Sequence, residues 1–397
     1  MIRCASLFSQ LLDLFPRPEF QRAVRNHRAE RYSKGFSCWD QFVAMLFCQL
    51  AQAHSLREIC GGLASCLGKM AHLGVSEAPK RSTLSYANAH RPWQLYETVF
   101  HQLLAKCQGA ATGRTKFRFR NKLYSLDATV IDLCLSLFDW AKFRQTKGAV
   151  KLHLLLDHEG YLPVFAQITE GKVHEVNIAH ELEFAPGSIV AIDRGFTDYS
   201  LFGRWTADGI YFVTRLKRGA DYRVTGRRNP IPERGILADE IIELDGVASK
   251  KKCPHQLRRI EYLDRETGEV YEYLTNHLEF GPTTIVAIYR DRWQIELFFK
   301  SLKQNLKIKT FVGTSPNALK TQIWTALIAM LLLKYLQLRS QFAWSLSNLV
   351  ALLRWNLFTY RALWEWLDDP FETPPLGNNA EQLAFAFSNL GQQNAGP

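Results

Sequence analysis

The spacing of apolar residues changes near residue 121, and this change limits the possible folds more than any other feature of the chain. Before it, apolar residues recur at helical spacing, as in residues 39–53. After it come short runs rich in Val, Ile, Leu and Tyr, at 123–126, 150–156, 162–168, 188–192 and 210–216. Stretches of helical pattern, 174–184 and 199–207, lie among these runs. Strands that alternate with helices predict an α/β domain with a mixed sheet behind an all-α N-terminal domain.

Residues 217–285 are β-rich without a helical stripe, which indicates an insertion. Its last two predicted strands, 257–263 and 270–274, are joined by Asp-Arg-Glu-Thr-Gly, a typical hairpin turn. Helical pattern returns at 284–308, 315–338 and 341–368. We therefore predict six parts: a helical N-terminal domain (1–110), the first part of the α/β domain (121–216), the insertion (217–285), the second part of the α/β domain (286–340), a C-terminal helix (341–370) and a mobile tail (371–397).

Charge is distributed unevenly along the chain. Residues 1–120 hold 17 Lys and Arg against seven Asp and Glu, whereas residues 121–209 hold eight against 12. A basic arm suits a polyanionic partner, and a local excess of carboxylates suits a divalent metal ion. Together they favour metal-dependent chemistry on nucleic acid. The alternative is that each segment merely deviates by a few charges, as segments of ordinary proteins do.

Several other classes of protein are disfavoured. The eight cysteines include no Cys-x-x-Cys pair, which argues against a zinc site and against a secreted disulfide framework. The longest mostly apolar run, 323–333, has 11 residues, well short of the ~20 that a membrane-spanning helix needs. The first 12 residues do not form a secretory signal. We therefore expect a cytoplasmic protein with no membrane partner.

The segment from Leu73 to Arg91 carries the hydrogen-bond donors expected of a DNA-reading element. A turn that contains glycine, at 73–76, is followed by a predicted helix that bears Lys80, Arg81 and Asn88. In a helix-turn-helix motif the second helix places such side chains against phosphates and base edges. This predicts DNA contacts for Lys80, Arg81, Asn88 and Arg91. The alternative is a pair of short helices with no role on DNA.

Two aspartates directly follow predicted strands. Asp127 comes after the run that ends at Leu126, and Asp193 comes after Ile-Val-Ala-Ile at 189–192. Because sites in α/β proteins are built at strand ends, we expect the two acids to lie near each other. Either one taken alone is more often a turn or capping residue. The rival carboxylates in this region are Asp132, Asp139, Asp157 and Asp198.

A polar stripe lies on the helix predicted around residue 296. Tyr289, Arg292, Glu296 and Lys303 project within about 60° of one another at ~100° per residue. A solvated helix face would also show such charges. A helix packed across the strand ends would instead add Glu296 to the two aspartates, and three converging carboxylates need a cation to offset their repulsion. Two Mg²⁺ ions ~3.5 to 4 Å apart would do so and would activate water at a phosphodiester.

Three motifs together resemble the DDE transposases of bacterial insertion sequences. They are Ser-Leu-Asp-Ala-Thr at 125–129, Ile-Asp-Arg-Gly-Phe at 192–196, and the helical stripe, which is similar to the tyrosine, arginine, glutamate and lysine signature of insertion-sequence family four. The resemblance covers about residues 120–340. Residues 8–64 also resemble the helical domain that precedes the catalytic domain in one branch of that family. The resemblance to this family implies an RNase H-like catalytic domain interrupted by the β-rich insertion, with an all-α N-terminal DNA-binding domain and C-terminal helices.

The resemblance also implies roles for the signature residues. Asp127, Asp193 and Glu296 would be catalytic and would hold two Mg²⁺ ions, with Mn²⁺ able to substitute. The Arg and Lys of the signature would hold DNA phosphates near the cut end. Its Tyr would contact the terminal phosphate or support a displaced base.

The implied function is cut-and-paste transposition. The protein would bind double-stranded DNA at terminal inverted repeats, pair two ends as a homodimer, cleave them, and use the freed 3′-hydroxyl to attack target DNA. Lys142, Arg144 and Lys147 would follow flanking DNA, unless they form only a basic loop beside a strand. The alternatives are a stand-alone nuclease on the same fold and a non-catalytic DNA-binding derivative, and the complete acidic triad argues against the latter.

Members of this family often cut through a hairpin at the transposon end, with an aromatic side chain of the insertion holding a flipped base. This sequence departs from that pattern, because it has no Trp between Trp205 and Trp293. The unranked aromatic candidates are Tyr211, Tyr222, Tyr262, Tyr271 and Tyr273.

Overall fold

The structure is a computed structural model that describes residues 5–31, 33, 35–66, 68–134, 136–138, 140–144, 147–308 and 310–373, except for the side chains of 142–144 and 147. Its helices are α1 (Leu7–Leu12), α2 (Arg17–Asn26), α3 (Cys38–Leu50), α4 (Leu56–Ala64), α5 (Arg81–His90), α6 (Gln94–Ala111), α7 (Glu175–Glu181), α8 (Tyr199–Ala207), α9 (Val247–Lys252), α10 (Pro282–Asp291), α11 (Trp293–Asn305), α12 (Pro316–Arg339), α13 (Leu346–Asn356) and α14 (Leu363–Asp368). Its strands are β1 (Leu123–Leu133), β2 (Lys142–Arg144), β3 (Lys147–Asp157), β4 (Leu162–Glu170), β5 (Ile189–Ile192), β6 (Tyr211–Arg215), β7 (Tyr222–Arg228), β8 (Ile236–Leu244), β9 (Leu257–Leu263) and β10 (Val270–Thr275). Of the predicted tail, residues 374–397 lie outside the described part.

The chain forms two compact units, one from residues up to Leu103 and from Asn305 onward, the other from Leu104–Gln304. The first unit is helical, and its core is formed by α3 packed against α12. α12 is long and apolar enough to cross a membrane by length and composition, but 78% of its most apolar window is buried inside the protein. That burial is what a core helix shows, because a helix that is apolar all round must be covered by other elements.

The N-terminal helices do not form the helix-turn-helix that the sequence predicts. Ser55 caps α4, since its side chain accepts a hydrogen bond from the backbone N–H of Glu58. However, α4 ends at Ala64 and α5 begins only at Arg81, with a single 3₁₀ turn, Met70–Leu73, between them. The separation is far longer than the three or four residues of a helix-turn-helix motif. The prediction of that motif is therefore wrong, although the helical character of the region is confirmed.

The second unit is built on one mixed sheet, in the order β2-β3-β1-β5-β6-β10-β9-β8-β7, with β4 also paired to β3. β1 is antiparallel to β3 and parallel to β5, and β5 is parallel to β6. The predicted α/β class with a mixed sheet is thus confirmed. The β-rich insertion is not a separate layer, because β10 pairs with β6 and continues the same sheet.

Alternation along β5 decides what covers each face of the sheet, since successive side chains of a strand point to opposite faces. Val190 and Ile192 pack in a cluster with Phe202 and Trp205 of α8. Ile189 and Ala191 pack on the other face with Ile285 and Ile288 of α10. The helix that carries the start of the polar stripe is therefore fixed to the strand that precedes Asp193.

A buried ion pair ties the insertion to the start of α10. Arg258 of β9 donates to both carboxylate oxygens of Asp239 on β8, at 2.7 and 2.6 Å. Its remaining Nη donates to the backbone carbonyl of Phe280, just before α10. Both side chains are almost fully buried, so the pair must satisfy its own hydrogen bonds.

Several element boundaries differ from the sequence predictions, and three of the differences bear on the fold. β1 does not end at Leu126 but continues to Leu133, because β3 pairs with it over its whole length. The helix predicted at 284–308 is divided at Arg292, whose backbone stays helical, so α10 and α11 follow one another closely. The helix predicted at 341–368 is two helices, because the segment between them pairs with the chain ahead of α1, with Ser6 opposite Tyr360.

Candidate active site

Two acids lie side by side on neighbouring parallel strands. The pairing of β1 with β5 ends at Leu126 opposite Ile192, so Asp127 and Asp193 are the next residues of the two strands. Asp193 leaves the sheet there and caps a 3₁₀ turn by accepting a hydrogen bond from the backbone N–H of Gly195 at 3.0 Å. Asp127 remains within β1, where its carboxylate accepts from the next backbone N–H.

Arg292 connects Glu296 to Asp127. One Nη of Arg292 lies 3.4 Å from a carboxylate oxygen of Asp127, and the other lies 2.6 Å from one of Glu296. The charge of Arg292 also acts on Asp193 and lowers the pKa of that carboxyl. All three predicted acids are therefore gathered around one guanidinium.

The other two residues of the stripe face the same strands. The hydroxyl of Tyr289 donates to Asp193 at 3.4 Å. The ammonium group of Lys303 donates to the backbone carbonyl of Val130 on β1 at 2.9 Å. The structure thus brings together the six residues that the motifs single out, all within the second unit.

Burial sets the electrostatics of the two aspartates. Burial raises the pKa of Asp127 to about 6, and the nearby charge of Glu296 adds to this effect, while Arg292 opposes it. Burial alone would also raise the pKa of Asp193, but the N–H of Gly195 and the charge of Arg292 outweigh it and hold the pKa below its ordinary value. The two acids therefore differ in how readily they take up a proton.

The donor set fits a hard divalent cation, because it consists of carboxylate oxygens that already share a cation. In the described part of the chain, however, no three His, Cys, Asp or Glu side chains are close enough together to hold one metal ion as they stand. The guanidinium of Arg292 lies between Asp127 and Glu296 instead. The acids therefore lie near Arg292 without forming a ready-made metal cage in the described residues.

A buried network that the sequence reasoning missed supports this arrangement. Ser125 bonds to one ring nitrogen of His158 at 2.7 Å, and the other ring nitrogen bonds to Asp291 at 2.7 Å. Ser125 precedes Asp127 by two residues, and Asp291 precedes Arg292. The trio has the residue types of a serine hydrolase triad, but all three side chains are buried, so we assign it a structural role. It couples β1 to α10 directly beside the site.

The rival carboxylates have other partners or positions. Asp157 pairs with Lys122, and Asp198 caps α8 by accepting from backbone N–H groups. Asp132 is exposed on β1. Asp139 lies outside the described residues.

A cavity of about 370 Å³ opens beside Asp193. Its lining consists of Asp193, Arg215, Asp264, Tyr271, Tyr273, Tyr289, Arg290, Arg292 and Trp293. Of the five aromatic candidates, two line it, Tyr271 and Tyr273, and Tyr273 is buried. Tyr271 is partly exposed, with the guanidinium of Arg215 4.3 Å from its ring centroid. Trp293, which the sequence reasoning passed over, is 55% exposed at the rim.

The predicted DNA contacts of the first unit divide into two groups. Lys80 and Arg81 are exposed at the start of α5. Asn88 is buried and bonds to Gln41 at 2.8 Å, so the structure contradicts a DNA contact for it. Arg91 donates to the carbonyl of Ser37 and to Gln41, which makes it a brace between helices. The side chains of Lys142, Arg144 and Lys147 lie outside the described part.

Comparison with known proteins identifies the family and the relatives that this chain resembles. Residues 118–332 match the family of the transposase DDE domain, and residues 3–76 match a domain of unknown function, DUF4372. The chain is 30% identical to a putative transposase, y4zB, of Sinorhizobium fredii, over 83% of this chain and 93% of that protein. It is 27% identical to a probable transposase of the insertion sequence element IS5377 of Geobacillus stearothermophilus, over 64% of this chain and 67% of that protein. A solved piggyBac transposase synaptic complex with hairpin DNA aligns with a TM-score of 0.46 and 10% identity, over 96% of this chain and 84% of that one.

The family match covers more than half of the chain, which therefore belongs to the DDE transposases. More particularly, it is a DNA transposase of an insertion sequence, an enzyme that cleaves and joins DNA. Enzymes of this family generally use divalent metal ions.

The raised pKa of Asp127 predicts a stability gain when its charge is removed. Burial raises the pKa of Asp127 in the folded state to about 6, so the ionised carboxylate lowers stability at pH 8. This cost disappears as the pH falls through 6 toward the pKa of an aspartate in the unfolded chain. In chelator, Asp127→Asn should raise the free energy of unfolding by about 2 to 3 kcal/mol at pH 8 and by roughly half as much at pH 5. Urea titrations at both pH values measure this. Exposed Asp132→Asn on the same strand is the control, and equal gains at both pH values would contradict the prediction.

Proposed function

We propose that this transposase performs its chemistry in a two-metal site held by Asp127, Asp193 and Glu296 on an RNase H-like domain. The observation that carries the proposal is that Asp127 and Glu296, far apart in the chain, both pair with Arg292, while Asp193 follows the strand beside that of Asp127. The RNase H-like assignment is supported by the mixed sheet, in which the strands of the two aspartates are parallel neighbours.

The residues of the site divide the work by their chemistry. When bound, two Mg²⁺ ions, or Mn²⁺ in their place, would activate the attacking water or 3′-hydroxyl and stabilise the leaving oxygen. The three carboxylates would hold these ions. Arg292 suits a two-pronged contact with a DNA phosphate, and Lys303 suits a point-charge contact. Tyr289 holds Asp193 in place by its hydroxyl and adds an aromatic face to the cavity.

The proposed substrates are the inverted-repeat ends of the element and its target DNA. The basic first 120 residues supply the charge for DNA binding, and Lys80 and Arg81 are exposed there. Both ends must be cut and then joined to one target DNA, so we propose a homodimer on DNA with one active site for each end.

The cavity beside Asp193 is the proposed place for a base displaced from the end of the DNA. It is lined by aromatic faces and by three arginines, which together suit the stacking of a base and the binding of its phosphate. Tyr271 ranks first among the candidates of the insertion, because it lines the cavity and is partly exposed. Trp293 offers a second stacking face at the rim.

Glu296→Gln tests the metal site. It keeps the size of the side chain and its bond from Arg292 but removes the negative charge that would hold the ion, so we expect loss of Mg²⁺-dependent cleavage of a labelled element end, by more than about 100-fold, with DNA binding retained. Cleavage is read on a sequencing gel and binding by gel shift. Exposed Asp132→Asn should cleave normally. Normal cleavage by Glu296→Gln would remove this residue from the site.

Tyr271→Ala tests the base pocket. Stacking on an aromatic ring stabilises a displaced base by about 1 to 3 kcal/mol. Without the Tyr271 ring, a fluorescent base analogue at the terminal position should stay stacked in the DNA, so the fluorescence change that reports its displacement should be lost in the complex. Tyr271→Phe keeps the ring and should retain the signal. Tyr222→Ala, in the same insertion but away from the cavity, is the control. An unchanged signal in Tyr271→Ala would exclude this residue as the stacking partner.

Arg81→Ala tests the DNA contacts of the first unit. Removing an exposed phosphate-binding charge should weaken binding to a labelled end and make the salt dependence shallower by about one unit of slope. Asn88→Ala should act differently, because Asn88 is buried: it should lower the thermal unfolding temperature without changing the slope. Fluorescence anisotropy over a range of salt concentrations measures the slope for both variants, and a thermal melt measures the unfolding temperature. An unaltered slope in Arg81→Ala would contradict the contact.

A further inference from the structure

The guanidinium of Arg292 stands among the carboxylates that would hold the metal ions. Its two Nη atoms contact Asp127 and Glu296, and its charge acts on Asp193. Only 9% of its side chain is exposed. The site thus contains a cation that belongs to the protein itself.

The hydrogen bonding of Arg292 differs from that of a purely structural arginine. Arg258, which is also buried, uses its Nε and both Nη groups in hydrogen bonds. Among the described residues the Nε of Arg292 is buried and has no hydrogen-bond partner, and the contact of Arg292 with Asp127 is long, at 3.4 Å. A buried donor left unsatisfied costs free energy, so this position is less favourable for Arg292 than a fully bonded one would be.

We propose that Arg292 is the counter-ion of the metal-free site and that a divalent ion enters by displacing it. This inference rests on the proposed function, because it takes the three carboxylates as the metal ligands. A guanidinium and a divalent ion repel each other strongly at a few ångströms in a partly buried site. Both therefore cannot share Asp127 and Glu296, and the carboxylates exchange one cation for the other.

The displaced side chain has a place to go. Arg292 also lines the cavity beside Asp193, where the proposed DNA phosphate would lie. Planar guanidinium groups bind phosphate oxygens through two parallel hydrogen bonds. DNA would then draw Arg292 from the carboxylates and strengthen metal binding, and metal binding would strengthen DNA binding by the same factor, because such coupling is reciprocal. The site would be loaded fully only on its substrate.

The test measures binding of Mn²⁺ to the full chain without DNA, from the electron paramagnetic resonance signal of the free ion. Arg292→Gln removes the charge at similar length and should bind Mn²⁺ about tenfold more tightly than the wild type, within the usual range of coupling. Arg292→Lys keeps the charge and should bind as the wild type does. Arg223→Gln is the matched control, since Arg223 also pairs with a carboxylate, that of Glu243, but does not line the cavity.

The outcomes separate this inference from the proposed function. If Asp127→Asn leaves wild-type Mn²⁺ binding unchanged, the proposed metal site fails. If Asp127→Asn abolishes binding but Arg292→Gln binds no more tightly than the wild type, the site stands and the exchange is overturned. It is overturned also if neither the wild type nor Arg292→Gln binds Mn²⁺. In a second measurement, duplex DNA should raise the Mn²⁺ affinity of the wild type and not that of Arg292→Gln, after subtraction of binding to DNA alone; equal increases would contradict the exchange.

Discussion

Parallel pairing between β1 and β5 is the constraint on which the rest of the site depends. It stops at Leu126 and Ile192, so the next residue of each strand is an acid at the same level of the sheet. Like charges held so close are unfavourable unless a cation offsets them. The packing of α10 on the same strands supplies one, because it brings Arg292 to the acids. Sheet register, helix packing and charge are therefore parts of a single arrangement.

Much of the fold follows from local patterns, and the errors have a common cause. The bounds of α8 and β9 match the predicted ones, because turn residues mark both ends of such short elements in the sequence. The strand predicted for β1 is shorter than the observed one. The part after Asp127 mixes polar and apolar residues, and its pairing with β3 keeps it in the strand. The break between α13 and α14 depends on pairing with the chain ahead of α1, some 350 residues away in sequence. Spacing along the chain cannot report such distant pairing.

In the site, too, local spacing predicts some features, whereas others depend on how distant elements pack. Spacing predicted that the stripe residues share one face and that the aspartates follow apolar strands, and the structure gathers them. It could not predict that Arg292 would lie between Asp127 and Glu296, because that depends on the level at which the helix crosses the sheet. Nor could it separate exposed Arg81 from buried Asn88 on one helix, since both are polar and burial is decided by the helices that cover α5. Residue type reports chemistry, whereas accessibility is a property of the packed unit.

The continuation of the sheet into the insertion leaves β7 as an edge strand. An uncovered edge presents unpaired backbone groups that can recruit the edge of another molecule and lead to aggregation. Three of the seven residues of β7 are arginines, Arg223, Arg227 and Arg228, and charged side chains on an edge strand disfavour its pairing with another molecule. The register shift between Val224 and Gly226 further interrupts a flat template. The outer edge of a wide sheet thus carries features that oppose its growth into larger stacks of copies.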